Sequence, residues 1–447
     1  MKKYLVKKLI AGSLVATMAF SMVGCGGSGE DTSTKTPEVA TVEDLDGKKI
    51  SFLTSQGKFF EEYNAMADAM KEKYGCEVEF QVVPDNEYYS LLKVKLSTAE
   101  VPDVFEYNYP THNEELGVAK YCEDLSNESW VDKLINPELV KDKVDGKHYA
   151  LPKESSSTYM AVYYNKDVLS KCGIEDPHPT TYDEFIGMLD TVKEKAPDVT
   201  PLYMTNADTW TTQIFMTAGI PVTLGDRAQD VYDSILSNKS KFTDEPAFTK
   251  VLGQFIDLIE GGYVNKDHLS AGYDTAAEKL GTGQVAMYLT IEGCVVDALS
   301  KYPDANLGSF VIPFNDTDKL PTGAYVQGLF VPSEGKQVGI AKAFLEAWSS
   351  PEIQNIYYET KPGFPALNDT DGGDSAECIQ SLVDEYIATG NYVYELNDQM
   401  ALATPIWPEL WNFYIEAASG LKTPEEVFET FQKQYVDYMQ QQGVEGF

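Results

Sequence analysis

GKHYALPKESSSTYMAVYYNKDVLSKCGIEDPHPTTYDEF, residues 146–185, decides the architecture. HYALP reads as a short strand stopped by Pro152. KESSST is a polar loop with no apolar residue. YMAVYY is a β-rich run bounded by Asn165, and Asn165, Lys166 and Asp167 open a helix that ends near Gly173. After Pro177 and Pro179, Thr181 and Glu184 have the spacing of a capping box, with Phe185 to bury, so TTYDEF starts a second helix. The chain leaves a strand, crosses a polar gap and enters new strands and helices, as a crossover between two lobes would.

A length of 447 residues exceeds what one core supports, so two lobes are expected. Hydrophobic residues make up 43% and aromatics 12%, enough to pack both. Upstream, KKISFLT (48–54) is a strand, 56–74 an amphipathic helix, CEVEFQVVP from Cys76 a strand, 86–98 a helix and VPDVFEY from Val101 a strand. That alternation means βαβ units and a parallel sheet, with ligand sites beyond the carboxyl ends of the strands. Downstream, TPLYMT from Thr200 and GTGQVAMYLT (281–290) are strands. LGSFVIP from Leu307 is a strand expected to return to the first lobe, and TGAYVQGLFVP (322–332) follows it. Residues 407–418 and 423–442 are closing helices, the latter capped by Thr423 and Glu426.

The first 24 residues read as a targeting segment: four lysines by Lys8, then an apolar run from Leu9 to Met22 too short to span a bilayer. Val23 and Gly24 before Cys25 fit cleavage ahead of that cysteine and lipid on its sulfur. Removing four of the 35 basic residues leaves 31 against 70 acidic ones, a net charge of −39, and Arg227 is the sole arginine. Such a chain lacks the basic patches that nucleic acid needs and the arginine forks that anions favour, so a neutral or cationic ligand is expected. Cys76, Cys122, Cys172, Cys294 and Cys378 are widely spaced with no CxxC; free, buried thiols are the simpler reading, and pairing stays open.

Nothing points to catalysis. His112, His148, His178 and His268 are not in metal-type spacing, GxSxG and GxxxxGK[ST] are absent, and NDTDGGD from Asn368 lacks the glutamate that closes a calcium loop. No cofactor or metal is expected. Sugar binding needs aromatic faces for the C–H side of the ring and fixed polar groups for its hydroxyls. The strand ends and crossovers carry that chemistry: Glu106, Tyr107 and Asn108; Glu154, Ser155 and Ser157; Asp208 and Trp210 in NADTW; Glu292; and Trp407 and Trp411, one helical turn apart in IWPELWNFY.

YYNKDVL followed by a Pro-rich turn and TYDEF, with PDVFEY, SQGKFFEEYN and IWPELWNFYIEAASG, resembles the bacterial extracellular solute-binding proteins of ABC importers, in the sugar-binding group. The resemblance implies a two-lobed α/β fold of the type II periplasmic-binding-protein kind, with a cleft and hinge between lobes. It places Gln56 and Lys58 at sugar hydroxyls, Tyr107 and the Asp208/Trp210 pair in the cleft, and Trp407 at a stacking position. One departure stands out: where the family has a tryptophan after the GQVAM strand, this chain has Ile291, Glu292, Gly293 and Cys294.

The expected organisation is a signal peptide over 1–24, a tether over 25–46, one lobe over 47–152 and 308–361, and the other over 153–307 and 362–447, hinged near Pro152, Pro313 and Pro362. The expected protein is a monomeric binding lipoprotein at the outer face of the cell membrane that passes a carbohydrate to an ABC permease. The alternatives are a binder of peptides or polyamines, a surface sensor or adhesin, and an oligosaccharide-cleaving enzyme.

Overall fold

Two large β-sheets and one of two strands make up the β-structure of the computed structural model, which describes residues 40–447 apart from 111, 139, 143, 156, 157 and 324. The targeting segment, Cys25 and Ser157 lie outside the described residues. The described strands are β1 Lys49–Ser55, β2 Glu77–Val83, β3 Val104–Tyr109, β4 Ala150–Pro152, β5 Ala161–Asn165, β6 Thr200–Tyr203, β7 Val285–Thr290, β8 Leu307–Phe310, β9 Leu320–Thr322, β10 Val326–Phe330 and β11 Tyr392–Tyr394.

The first sheet runs β2-β1-β3-β10-β4. β1 pairs parallel with β2 and β3, as the helices Glu62–Tyr74 and Asp85–Thr98 between them require. β10 returns antiparallel between β3 and β4, with Gly328 opposite both Tyr107 and Pro152. The second sheet runs β6-β7-β5-β8. β7 is its buried centre, parallel to β6 and antiparallel to β5. All six residues of β7 are buried, which explains why it reads as an unbroken apolar run. Each sheet has its own large core. Phe52, Phe105, Trp130 and Phe344 belong to the first; Val162, Phe185, Phe248 and Phe428 belong to the second.

The crossover is set by local chemistry. β4 ends at Pro152, which has no N–H to extend the ladder, and β5 begins after the polar gap. Asn165 Oδ1 accepts the Val168 N–H at 3.1 Å and starts the helix Lys166–Lys171. Thr181 Oγ1 accepts the Glu184 N–H at 3.2 Å while Glu184 Oε2 accepts the Thr181 N–H at 3.3 Å, a complete capping box for the helix Tyr182–Lys195.

Four boundaries differ from expectation. β8 pairs antiparallel with β5, so Leu307–Phe310 stays in the second sheet and the return to the first comes only at β10. Ala366 and Leu367 pack in the first core, which moves the last crossing beyond 362. The expected tether stops before residue 46, because Val42–Leu45 is a 3-10 turn that buries Leu45 completely. The first helix begins at Glu62 rather than 56. Residues 56–61 form turns: Lys58 and Phe59 donate backbone N–H groups to Ser55 O, and the Gly57 N–H is held by Asp85 Oδ1 at 3.0 Å. A Cβ at position 57 would lie 2.8 Å from Asp85 Oδ2, so glycine is what lets this turn sit against the carboxylate.

Candidate functional site

The strand ends of the two sheets converge on the crossover after Pro152. On the first-sheet side, the turn over 56–61 aims Lys58 at the end of β3. Its Nζ donates to Asn108 Oδ1 at 2.6 Å and sits 5.0 Å from the centre of the Tyr107 ring. Tyr107 is 7% exposed and lies between Tyr88 and Tyr89, stacked on each, so it supports Lys58 from below instead of offering an open face. Glu106 is fully buried and accepts from Thr54 Oγ1 at 2.7 Å and Tyr63 OH at 3.1 Å. Gln56 is exposed, with its backbone N–H on Val83 O.

At the crossover, the Lys153 ammonium lies 4.2, 4.6 and 5.2 Å from the centres of Phe60, Tyr357 and Tyr63. Burial pushes Lys58 down to about 8, against the pull of Glu106 and with the neighbouring Lys153 charge adding to it. Burial lowers Lys153 as well, while Glu106 and Glu154 oppose it. Glu154 goes the other way: burial raises it, and the charges of Lys153 and Lys58 hold it back.

On the second-sheet side, β7 delivers Glu292 to the first turn of the helix Glu292–Lys301. Its Oε2 accepts the Tyr159 N–H at 2.8 Å. Burial pushes Glu292 up to about 7; the Tyr159 N–H opposes this and the Glu154 charge adds to it. Glu154 is therefore coupled to Lys58 and Glu106 on one side and to Glu292 on the other. Lys361, which follows the helix Pro351–Tyr358, pairs with Asp297 of the Glu292 helix at 2.6 Å. Beyond Glu292, Asp208 Oδ2 accepts the Tyr273 N–H at 2.6 Å, and the Trp210 and Tyr273 rings meet edge to face at 4.9 Å. Asn206 and Thr211, which flank Asp208 and Trp210 in sequence, line a pocket with Tyr203, Tyr288 and Phe255.

The structure joins Lys58 to Asn108 by a hydrogen bond, places Glu154 within electrostatic reach of Lys58 and of Glu292, and sets Asp208 and Trp210 near Glu292 through Tyr273. It removes Trp407 as a stacking platform. Trp407 is 2% exposed and stacks on Phe431 at 5.5 Å inside the second core, because Trp407, Leu410, Tyr414 and Ala417 form the inward stripe of their helix. Trp411, one turn on, is half-buried against the same core. Lys153, Phe60, Tyr357 and Tyr273 were missed. Lys153 directly follows the strand-stopping proline, a position that could have flagged it; Tyr273 opens a three-residue 3-10 turn with no pattern to mark it.

Among the described residues, His178, Asp318 and Glu385 are the group whose ligand atoms lie close enough for a metal ion. Nε2 of His178 is 3.6 Å from Asp318 and Nδ1 is 3.8 Å from Glu385, so each ring nitrogen already faces a carboxylate, as in a surface ion pair.

Residues 54–355 match the family model for bacterial extracellular solute-binding proteins. The diacetylchitobiose binding protein of Streptomyces coelicolor is 28% identical over 347 residues, covering 76% of this chain and 77% of that protein. The melibiose/raffinose/stachyose-binding protein of Bacillus subtilis is 21% identical over 446 residues, covering 95% of each. Among solved structures, a sugar transporter from Bacillus licheniformis in complex with stachyose superposes with a TM-score of 0.69 at 23% identity, covering 87% of this chain and all of that one. At that identity the likeness is one of fold.

Proposed function

The chain belongs to the bacterial extracellular solute-binding protein family, and from that premise we propose that it captures a carbohydrate, of oligosaccharide size, for an ABC importer. The observation that carries this reading is the polar and aromatic set spanning both sheets, with Lys58 and Asn108 on one side, Glu292 and the Trp210/Tyr273 pair on the other, and Glu154 between them. Carboxylates and an amide accept sugar hydroxyls, a lysine donates to them, and aromatic faces take the C–H side of the ring. The sugars named for the two relatives support it.

The ligand contacts both lobes, so a closed state gains contacts that an open one cannot make, and binding shifts the population toward closure. The site then comprises Lys58, Asn108, Glu154, Trp210, Glu292 and Trp411, with Gln56 at the rim and Tyr107 and Asp208 behind it. Cys25 carries the lipid that holds the protein at the outer face of the membrane, a reading that rests on the apolar run and small residues before it.

A thermal-shift screen against neutral mono- and oligosaccharides tests the proposal. A ligand at a hundredfold excess over Kd adds about 2.7 kcal/mol of stability. A raised midpoint with one sugar class supports it; no shift with any sugar defeats it. A second reading, an amine-bearing solute, draws on the carboxylates of Glu154 and Glu292. Polyamines and peptides in the same screen decide it.

A further inference from the structure

We propose that Tyr273 supplies an aromatic face of the ligand site beside the Glu292 helix, and that Asp208 serves the site by holding Tyr273 in place instead of contacting the ligand. This rests on the carbohydrate reading and goes beyond it by changing which residues recognise the sugar.

The segment that leaves β7 carries no aromatic residue in its first turn. β7 ends at Thr290, and Ile291, Glu292 and Gly293 follow. Gly293 presents no side chain. A Cβ built there would have the Tyr273 hydroxyl oxygen, 3.9 Å away, as its one neighbour within 4 Å. The phenol of Tyr273, from the 3-10 turn Tyr273–Thr275, thus reaches the start of the Glu292 helix. Burial holds that phenol un-ionised, well above its ordinary value, and the charges of Asp297 and Glu292 add to the effect. It remains a neutral hydroxyl that can donate.

The other end of Tyr273 is fixed by Asp208. The 2.6 Å bond from the Tyr273 N–H to Asp208 Oδ2 ties the loop to the segment carrying Trp210. The two rings then meet edge to face, their centres 4.9 Å apart and their planes at 61°. Such a pair sets the edge of one ring against the face of the other, and each ring also packs on its own part of the core. Both side chains are half-buried. With Oδ2 committed to the backbone, the carboxylate fits a role as an anchor for the aromatic pair. An asparagine would serve that role as well, since its Oδ1 accepts the same N–H.

That equivalence gives the test. Carbohydrate affinity is measured by titration calorimetry on the purified protein and on four variants. Tyr273→Leu keeps apolar volume and removes the π face, and about tenfold weaker binding is expected. Tyr273→Phe keeps the face and is expected to stay within about threefold of the wild type. Asp208→Ala loses the anchor and is expected to bind about tenfold more weakly, whereas Asp208→Asn stays within about threefold because it retains the acceptor. Undiminished binding by Tyr273→Leu overturns the inference, and so does an Asp208→Asn variant as impaired as Asp208→Ala. A wild-type protein that binds no carbohydrate defeats the proposed function and this inference with it; a wild type that binds while Tyr273→Leu binds equally well defeats this inference alone.

Discussion

Replacing Glu292 with glutamine should make the protein's stability less sensitive to pH. The folded carboxyl titrates at about 7, against an ordinary value of 4.5. Between those two values the folded state holds a proton that the unfolded chain has released, so stability falls as pH rises through that window. Below about 4.5 both states are protonated and there is no penalty; above about 7 both are ionised and the folded state bears the full cost. At 1.36 kcal/mol for each factor of ten, the ceiling is ~3 kcal/mol, and solvent at the partly open face of the site lowers it to ~2 kcal/mol. Glutamine carries no charge, and its carbonyl still accepts the Tyr159 N–H that Oε2 takes at 2.8 Å. Equilibrium urea unfolding of both proteins at pH 4.5 and pH 7.5 measures the effect. The stability of Glu292→Gln relative to wild type should rise by ~2 kcal/mol between the two pH values. Comparing variants cancels the other titrating groups. A difference that does not change with pH would show that Glu292 is not desolvated, and the electrostatic account of the cleft would fail with it.

Trp407→Ala should cost ~3–5 kcal/mol of stability, because it empties a site packed on Phe431; unfolding midpoints check this, and a stable variant that has lost only ligand binding would return the indole to the cleft. Asn165→Ala should cost about 1 kcal/mol or more by urea unfolding, since it removes both the helix cap and the bond from Nδ2 to Leu280 O; an unchanged midpoint would contradict that. Cys76, Cys122, Cys172, Cys294 and Cys378 are free and buried, with burial pushing Cys76 up to about 11 and Cys294 up to about 12. A thiol reagent should therefore label none of these five in the native protein and all of them in urea, whereas a pair that stays unreactive in urea without reductant would reveal a disulfide.

Local chemistry was legible in the sequence, and long-range pairing was not. The Asn165 cap and the Thr181/Glu184 box depend on residues three positions apart, so their spacing is enough to read them. The choice of sheet for Leu307–Phe310 depends on β5, far away in the chain, and nothing within LGSFVIP specifies that partner. Trp407 was misplaced although a signal was present: Trp407, Leu410, Tyr414 and Ala417 repeat at helical spacing, and reading that stripe assigns Trp407 to the core and leaves Trp411 at its edge. Lys58, Asn108, Asp208 and Trp210 were legible as candidates from strand ends and from the family resemblance. Tyr273 was not, because an aromatic residue opening a three-residue 3-10 turn gains its place from Asp208 and Trp210, and that meeting exists only in the folded chain.

Titration calorimetry of the purified protein and its Trp210→Ala variant with neutral oligosaccharides tests the central claim most directly. The account predicts saturable binding at one site per chain to one class of oligosaccharide, and about tenfold or greater loss in the variant with its unfolding midpoint unchanged. Absence of binding to every carbohydrate, together with saturable binding of a polyamine or peptide, would contradict it.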